Sequence, residues 1–237
     1  MKKLLIIQNI TREAPGLLID VLKNYNVSYD CFDLSQDLPT IMLENYGAMV
    51  ILGGPDSAND QTPKMIYERE LVKKALDTKM PILGICLGLQ ILVKVAGGSV
   101  KKNHIQEIGF LDHNQEQYTV DLTRDGQDDL LLKNLPKKFP IFQLHGETVE
   151  LTDCMVLLGI GKHCRNQIVK IAPGVYGLQG HLELTESMLE DWLTHDVDLV
   201  SYDKKELVGY YKTMQEHYVI MGKTLCENFL KLAGFVK

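Results

Sequence analysis

The order of apolar segments in this 237-residue chain predicts an α/β fold, a doubly wound, mostly parallel sheet with helices on both faces. Three observations predict it. Short apolar runs (Leu4 to Ile7, Ala48 to Leu52, Pro81 to Ile85) alternate with stretches that are apolar at helical spacing. Two of the runs end in glycine-rich turns, Gly53-Gly54-Pro55 and Gly84-Ile85-Cys86-Leu87-Gly88. No repeat, low-complexity tract or linker-like stretch interrupts the pattern, so residues 1–237 are read as one domain.

Taken in order, Leu4 to Ile7 is the first buried strand, and Leu17, Leu18, Val21 and Leu22 mark the helix after it. Val27 to Phe32 is the second strand and Ala48 to Leu52 the third. A helix starts near Pro63, a residue suited to a first turn, and sends Ile66, Leu71, Val72 and Ala75 to the core. Pro81 to Ile85 is the fourth strand; a helix from Leu87 to Ala96 follows and stops at Gly97-Gly98.

Residues 99 to 160 break the alternation. Tyr118 to Leu122, Phe139 to Leu144 and Met155 to Ile160 read as strands separated by polar turns such as Arg124-Asp125-Gly126, an antiparallel excursion from the main sheet. Ile168 to Ile171 and Val175 to Gln179 are strands joined at Pro173-Gly174. Leu189, Trp192 and Leu193 mark a short helix. Lys204 to Leu232 is a long one, its stripe of Leu207, Tyr211, Met214, Tyr218, Met221, Leu225 and Phe229 facing the core.

Composition excludes several function classes. The net charge is −6, and no block rich in Lys and Arg provides the basic surface that nucleic acid requires. No stretch approaches the roughly 18 apolar residues of a membrane span, and the apolar run after Lys2-Lys3 is too short for export, so a cytoplasmic protein is expected. The five cysteines are odd in number and irregular in spacing, which argues against a disulfide framework. Cys154 and Cys164 flank an apolar run and are expected to be buried. Asp196 and Asp198, beside His195, read as a solvated loop. The histidines show no ligand spacing, so no metal or cofactor is expected.

The chemistry concentrates at Cys86. A reactive residue with glycines two positions to either side, between a buried strand and a helix, describes a nucleophile elbow. The elbow places the sulfur at the carboxyl edge of the sheet, where doubly wound folds bind ligands. The positive end of the following helix favours a thiolate there. The amide of Leu87 and a second from Gly53-Gly54 would form an oxyanion hole worth roughly 3 kcal/mol per donor. A thiolate also needs a base and a group to orient it, and His181-Leu182-Glu183 follows a strand that ends at the same edge. In extended chain, His181 and Glu183 project to one face.

In this order and spacing, Gly53-Gly54-Pro55, the Gly84-to-Gln90 elbow and His181-x-Glu183 resemble the class I (triad) glutamine amidotransferases, and the likeness extends along the whole chain. Gln143-x-His145-Gly146-Glu147 is similar to the Q-x-H-G-D segment of the free-standing, GMP-synthase-like members, and Thr185 to Leu193 to the segment after their H-x-E. The resemblance implies a flavodoxin-like amidotransferase fold and a catalytic set of Cys86, His181 and Glu183. It further implies an oxyanion hole at Gly54 and Leu87, with Gln90 and His145 beside the substrate. The chain departs from the pattern at Leu182, where most relatives have proline, and at Glu147, where Asp is commoner.

Three functions follow from these readings. The first is hydrolysis of the glutamine side-chain amide, with ammonia expected to pass to a separate synthetase, because residues 1–237 hold no synthetase module. The second is a stand-alone hydrolase of γ-glutamyl peptides or conjugates. The third is a quiet binding or regulatory module. Expected partners are glutamine or a γ-glutamyl small molecule, with neither nucleic acid nor membrane.

Overall fold

The computed structural model describes residues 2–237. Its first half alternates β1 (Lys3–Gln8), α1 (Leu17–Asn24), β2 (Tyr29–Asp33), β3 (Tyr46–Ile51), α2 (Pro63–Asp77), β4 (Ile82–Ile85) and α3 (Leu87–Val95). The excursion contains β5 (Ser99–Gly109), β6 (Thr119–Leu122), α4 (Arg124–Asp128), β7 (Lys138–Pro140), β8 (Gln143–Glu150) and β9 (Val156–Ile160). Then come β10 (Asn166–Ala172), β11 (Val175–Leu178), α5 (Glu186–His195) and α6 (Lys204–Leu232). No helix among the described residues is long and apolar enough to cross a membrane.

One sheet runs in the order β2-β1-β3-β4-β11-β10-β9-β6-β7. The first five strands are parallel to their neighbours and the last four antiparallel, so the excursion extends the main sheet. β5 and β8 form a separate antiparallel ribbon. Strand residues alternate between two cores. Leu4, Ile6, Val50 and Leu83 join the side covered by α1, α5 and α6, while Leu5, Ile7, Met49 and Ile82 join the side covered by α2 and α3. This two-sided burial is why these strands read as continuous apolar runs. It also aligns the carboxyl ends of β1, β3, β4 and β11 along one edge, where the loops holding Glu13, Gly54, Cys86 and His181 emerge.

Several sequence expectations are corrected. Ile66 is exposed, and Met65 and Glu68 take the buried face of α2 instead, because Thr62 caps the helix through the Met65 amide and sets its rotation. Phe139 to Leu144 divides at Ile141-Phe142 into β7, in the main sheet, and β8, in the ribbon. β5 is absent from the sequence reading because Lys101, Lys102 and Asn103 interrupt its pattern, and the strand needs only one covered face. Arg124-Asp125-Gly126 is a helical turn capped by Thr123. Cys154 is exposed, because it sits in the turn before β9 rather than in the strand, whereas Cys164 is buried.

Candidate functional site

Cys86 is the junction of β4 and α3. Its φ of 51° and ψ of −106° lie where a residue with a Cβ is strained. Two glycines permit the turn. A Cβ on Gly84 would lie 2.5 Å from the Gly88 carbonyl carbon, and one on Gly88 would lie 2.3 Å from the Ile51 carbonyl oxygen. The Cys86 amide donates to Leu178 O at 2.7 Å, tying the elbow to the end of β11. The thiol touches Leu144 O at 3.6 Å, and Gln179 Nε2 approaches the sulfur at 3.7 Å.

His181 lies three residues past β11 and is extended there, bridging antiparallel to Phe142, whereas Leu182 and Glu183 bend away from the extended path expected for the pair. The bend after His181 still brings the pair together, with Nδ1 2.6 Å from Glu183 Oε1. The backbone is anchored on both sides: the His181 amide donates to Phe142 O, the Tyr218 hydroxyl donates to His181 O, and the Leu17 amide donates to Glu183 O at 2.9 Å. The Trp192 ring stands edge-on to the imidazole with centroids 5.0 Å apart. His181 Nε2 is buried and makes no well-aligned hydrogen bond to a described residue, yet the ring and the Cys86 sulfur are close enough to interact; such contacts are often loosely aligned before substrate binds. Sulfur and ring nevertheless share one buried space and act on each other's charge. Burial pushes the Cys86 thiol up, and His181 pulls it back down. Burial alone would lower His181, but the Glu183 carboxylate and Cys86 hold it well above its usual value. His181 is thus held toward its charged form, while burial outweighs its pull on the sulfur and leaves the Cys86 thiol raised.

Among the described residues the Gly54 amide finds no backbone acceptor, and that of Leu87, first in α3, has no intrahelical acceptor. The two loops touch, since a Cβ on Gly54 would lie 3.2 Å from Leu87 Cδ2. Gln90 is buried, with Nε2 3.4 Å from both Glu147 O and Gln179 Oε1. His145 belongs to the same wall, but its ring turns away from open space. Nδ1 lies 2.9 Å from Glu147 O, and Nε2 is 3.0 Å from buried Glu107 Oε2 though out of line for a hydrogen bond. Glu107, His145 and Cys164 have the spacing to hold an ion, as do Asp112, His113 and His163, a grouping that histidine spacing in the sequence does not show.

Cys86, Gln90, Gly54 and His145 all border one cavity of about 240 Å³. Its wall includes residues that sequence reasoning missed. Asp196 is buried and ion-paired to Arg12 at 2.7 Å, not solvated, because the pair forms between loops 184 residues apart. Glu13 comes from the loop after β1, and a Cβ on Gly53 would lie 2.1 Å from its Oε2 and 3.1 Å from His181 Cε1. Burial pushes Glu13 up to about 7, with His181 and Arg12 lowering it and Glu183 and Asp196 raising it. A charged pair in the loop leaving the first strand, at the edge where such folds bind ligands, was the available signal.

Glu68 is a second buried acid, also pushed up to about 7, chiefly by burial. It accepts from Asn9 Nδ2 at 3.1 Å, while Glu68 Oε2 and Asn9 Oδ1 are left as acceptors without donors. The folded chain keeps this proton up to about pH 7, whereas the unfolded chain releases it near the ordinary 4.5, so the contribution to stability falls as pH rises through that interval. Glu68→Gln supplies an amide donor and cannot ionise. Above pH 7 it is expected to be more stable than the parent by roughly 2 kcal/mol, with the gain vanishing in acid. Urea melts across pH check this, and a pH-independent difference contradicts it.

A profile of the class-I glutamine amidotransferases matches residues 12–196, which include Cys86 and His181-x-Glu183. The chain belongs to this family. Among relatives of the amidotransferase, a Borreliella burgdorferi "GMP synthase [glutamine-hydrolyzing]" is 37% identical over 134 residues, which are 55% of this chain and 24% of that protein. The chain thus spans about a quarter of the length of that relative. The glutamine amidotransferase-like protein YfeJ of Salmonella typhimurium is 26% identical over 73% of this chain and 71% of its own. The crystal structure of a glutamine amidotransferase from Thermotoga maritima superposes with a TM-score of 0.85 at 26% identity, covering 97% of this amidotransferase chain and 98% of that one.

Proposed function

We propose that the protein, acting as one amidotransferase domain, hydrolyses the side-chain amide of glutamine through a thioester on Cys86 and releases ammonia to a separate synthetase. The observation that carries this reading is the pairing of a strained elbow cysteine with the buried His181–Glu183 couple, 2.6 Å apart, at one sheet edge. The Cys86 thiolate adds to the γ-carbonyl carbon, and the oxyanion is received by the amides of Gly54 and Leu87. The C–N bond breaks as His181 gives its proton to the departing ammonia. Water, deprotonated by His181, then cleaves the thioester to glutamate. Gln90 borders the acyl half of the cavity. Glu183 keeps His181 in the tautomer and orientation that serve both steps. The reaction as written requires no cofactor.

A separate acceptor is supported by a relative from Methanococcus vannielii whose name describes it as one subunit of a "GMP synthase [glutamine-hydrolyzing]", 29% identical over 59% of this chain and 65% of its own. The test is glutamate release from glutamine by the purified chain, alone and with a candidate synthetase. Dependence on Cys86 without stimulation by any synthetase would favour a stand-alone hydrolase of γ-glutamyl conjugates. No Cys86-dependent release from any γ-glutamyl amide would leave the quiet-module reading.

Glu183→Gln tests the orienting role. Its amide nitrogen cannot accept the Nδ1 proton, so the imidazole is expected to settle in the wrong tautomer and kcat to fall by roughly 10³- to 10⁴-fold. Steady-state kinetics with a circular dichroism control for folding decide it. A variant within tenfold of the parent rate contradicts the assignment.

A further inference from the structure

The cavity over Cys86 has two differently furnished sides. On one, Gln90 Nε2 meets Glu147 O and the Ser57 hydroxyl donates to Glu147 Oε2 at 2.8 Å, so the polar groups are already connected. On the other lie Glu13, whose Oε2 meets Gly53 next to His181 Cε1, and the stretch from Asp196 to Asp198. Five carboxylates border the cavity, and among the described residues no Lys or Arg does. Most of those carboxylates have partners: Arg12 is bonded to Asp196, Lys64 pairs with Asp56 at 2.5 Å, and Ser57 serves Glu147. Glu13 differs. It is 6% exposed, borders the cavity, and receives no hydrogen bond from any described residue. Its oxygens are not among the fully buried orphan atoms, so they reach the cavity's solvent with no protein donor on them, an arrangement that a cationic ligand group would complete.

The base locates the two halves of a substrate. His181 must protonate the leaving nitrogen, so the leaving amine lies on the Glu13 side and the glutamyl half on the Gln90 side. We propose that Glu13 is a specificity-determining residue that receives a second ammonium group on the leaving amine, so that γ-glutamyl derivatives of diamines are substrates and those of amino acids are rejected. This deepens the amidohydrolase reading and rests on it. The step is the same hydrolysis: the thiolate displaces the amine, the amine takes the His181 proton, and water returns glutamate and the thiol. A leaving amine that carries a carboxylate would bring its charge against Glu13, Asp196 and Asp198, with Arg12 already committed to Asp196. A second ammonium instead forms a charge-assisted pair out of bulk water. The charged groups around Glu13 are His181 and Glu183 at the end of β11, Arg12 on its own loop, and Asp196 after α5. Because burial holds Glu13 near 7, an arriving cation also draws it into its ionised form.

The experiment compares three conjugates of equal reach, the γ-glutamyl amides of 1,4-diaminobutane, butylamine and 4-aminobutyrate, by glutamate release, with glutamine alongside. The expected kcat/KM order is diamine, then butylamine, then aminobutyrate, with about tenfold between neighbours, as one charge-assisted contact of about 1.4 kcal/mol gives. In Glu13→Gln the ratio of diamine to aminobutyrate is expected to fall at least tenfold, and the rise of the diamine rate over the butylamine rate through neutral pH is expected to disappear. Equal rates for the three amides, or an unchanged ratio in Glu13→Gln, would overturn the proposal while leaving Cys86-dependent hydrolysis intact. If no amide is turned over, the amidohydrolase reading fails. The order of calorimetric affinities of the three conjugates for Cys86→Ala then decides the charge preference on its own.

Discussion

Cys86→Ala is expected to lose roughly 10⁶-fold in kcat for glutamate release, the scale on which removal of a triad nucleophile acts. Fold should survive, because the elbow is held by the close approach of Gly84 and Gly88 and by the Cys86 amide bonded to Leu178 O, none of which involves the sulfur. The parent chain offers a matching positive result. An electrophilic glutamine analogue should add its mass to the Cys86 peptide alone. Burial holds Cys164 and Cys226 at about 12, and Cys31, though surface-exposed at its residue level, stands at about 11, so these thiols stay protonated at neutral pH. Burial raises the Cys86 thiol as well, but among these sulfurs it has the His181 imidazole beside it, which opposes that rise and can take its proton as an electrophile is attacked. Mass spectrometry of the labelled digest decides the matter. Adducts spread over exposed Cys31 and Cys154, or activity surviving in Cys86→Ala, would remove the thioester mechanism.

Trp192→Ala carries the largest expected loss of stability, about 3–5 kcal/mol. This lone tryptophan is fully buried in α5, against Phe142 at 5.8 Å between centroids and against His181. Its indole N–H donates to Arg12 O at 2.8 Å, so truncation opens a cavity and also orphans a carbonyl. The same contact, with the Arg12–Asp196 ion pair, fastens the loop after β1 to the end of α5, and that loop carries Glu13. Activity is therefore expected to fall beyond what unfolding explains, because the imidazole loses the ring that limits its tilt. Trp192→Phe refills most of the space but cannot reach the carbonyl, and a cost of about 1–2 kcal/mol is expected. Denaturant melts followed by far-ultraviolet circular dichroism measure both. A loss below about 1 kcal/mol for Trp192→Ala contradicts the packing described.

The parts of the fold that were legible are those whose physics is local. β1, β3, β4 and β11 are buried on both faces, so their sequences are runs of apolar residues that need no knowledge of their neighbours. α6 presents a helical stripe over its full length. β5 was illegible for the converse reason: eleven residues long, it pairs only with β8 and keeps much of its surface in water, so Lys101, Lys102 and His104 are tolerated. Of the site, the elbow and the His181-x-Glu183 pair could be read because a tight turn demands small residues at fixed offsets. The burial of Asp196 and Glu13 could not, since a carboxylate in a loop, even one whose place after a strand marks the ligand edge, looks the same whether or not chain from the far end of the sequence closes over it.

Chain order alone settled which strands lie in the interior, where they turn, and which sulfur stands at the head of a helix. It could not settle which carboxylates lose their water. That depended on packing α5 against the loop after β1, which placed Arg12 on Asp196 and left Glu13 without an ion-pair partner among the described residues. Backbone turns answer to neighbours a few residues away, whereas the charge state of a buried group answers to everything within several ångströms, from wherever in the chain it comes.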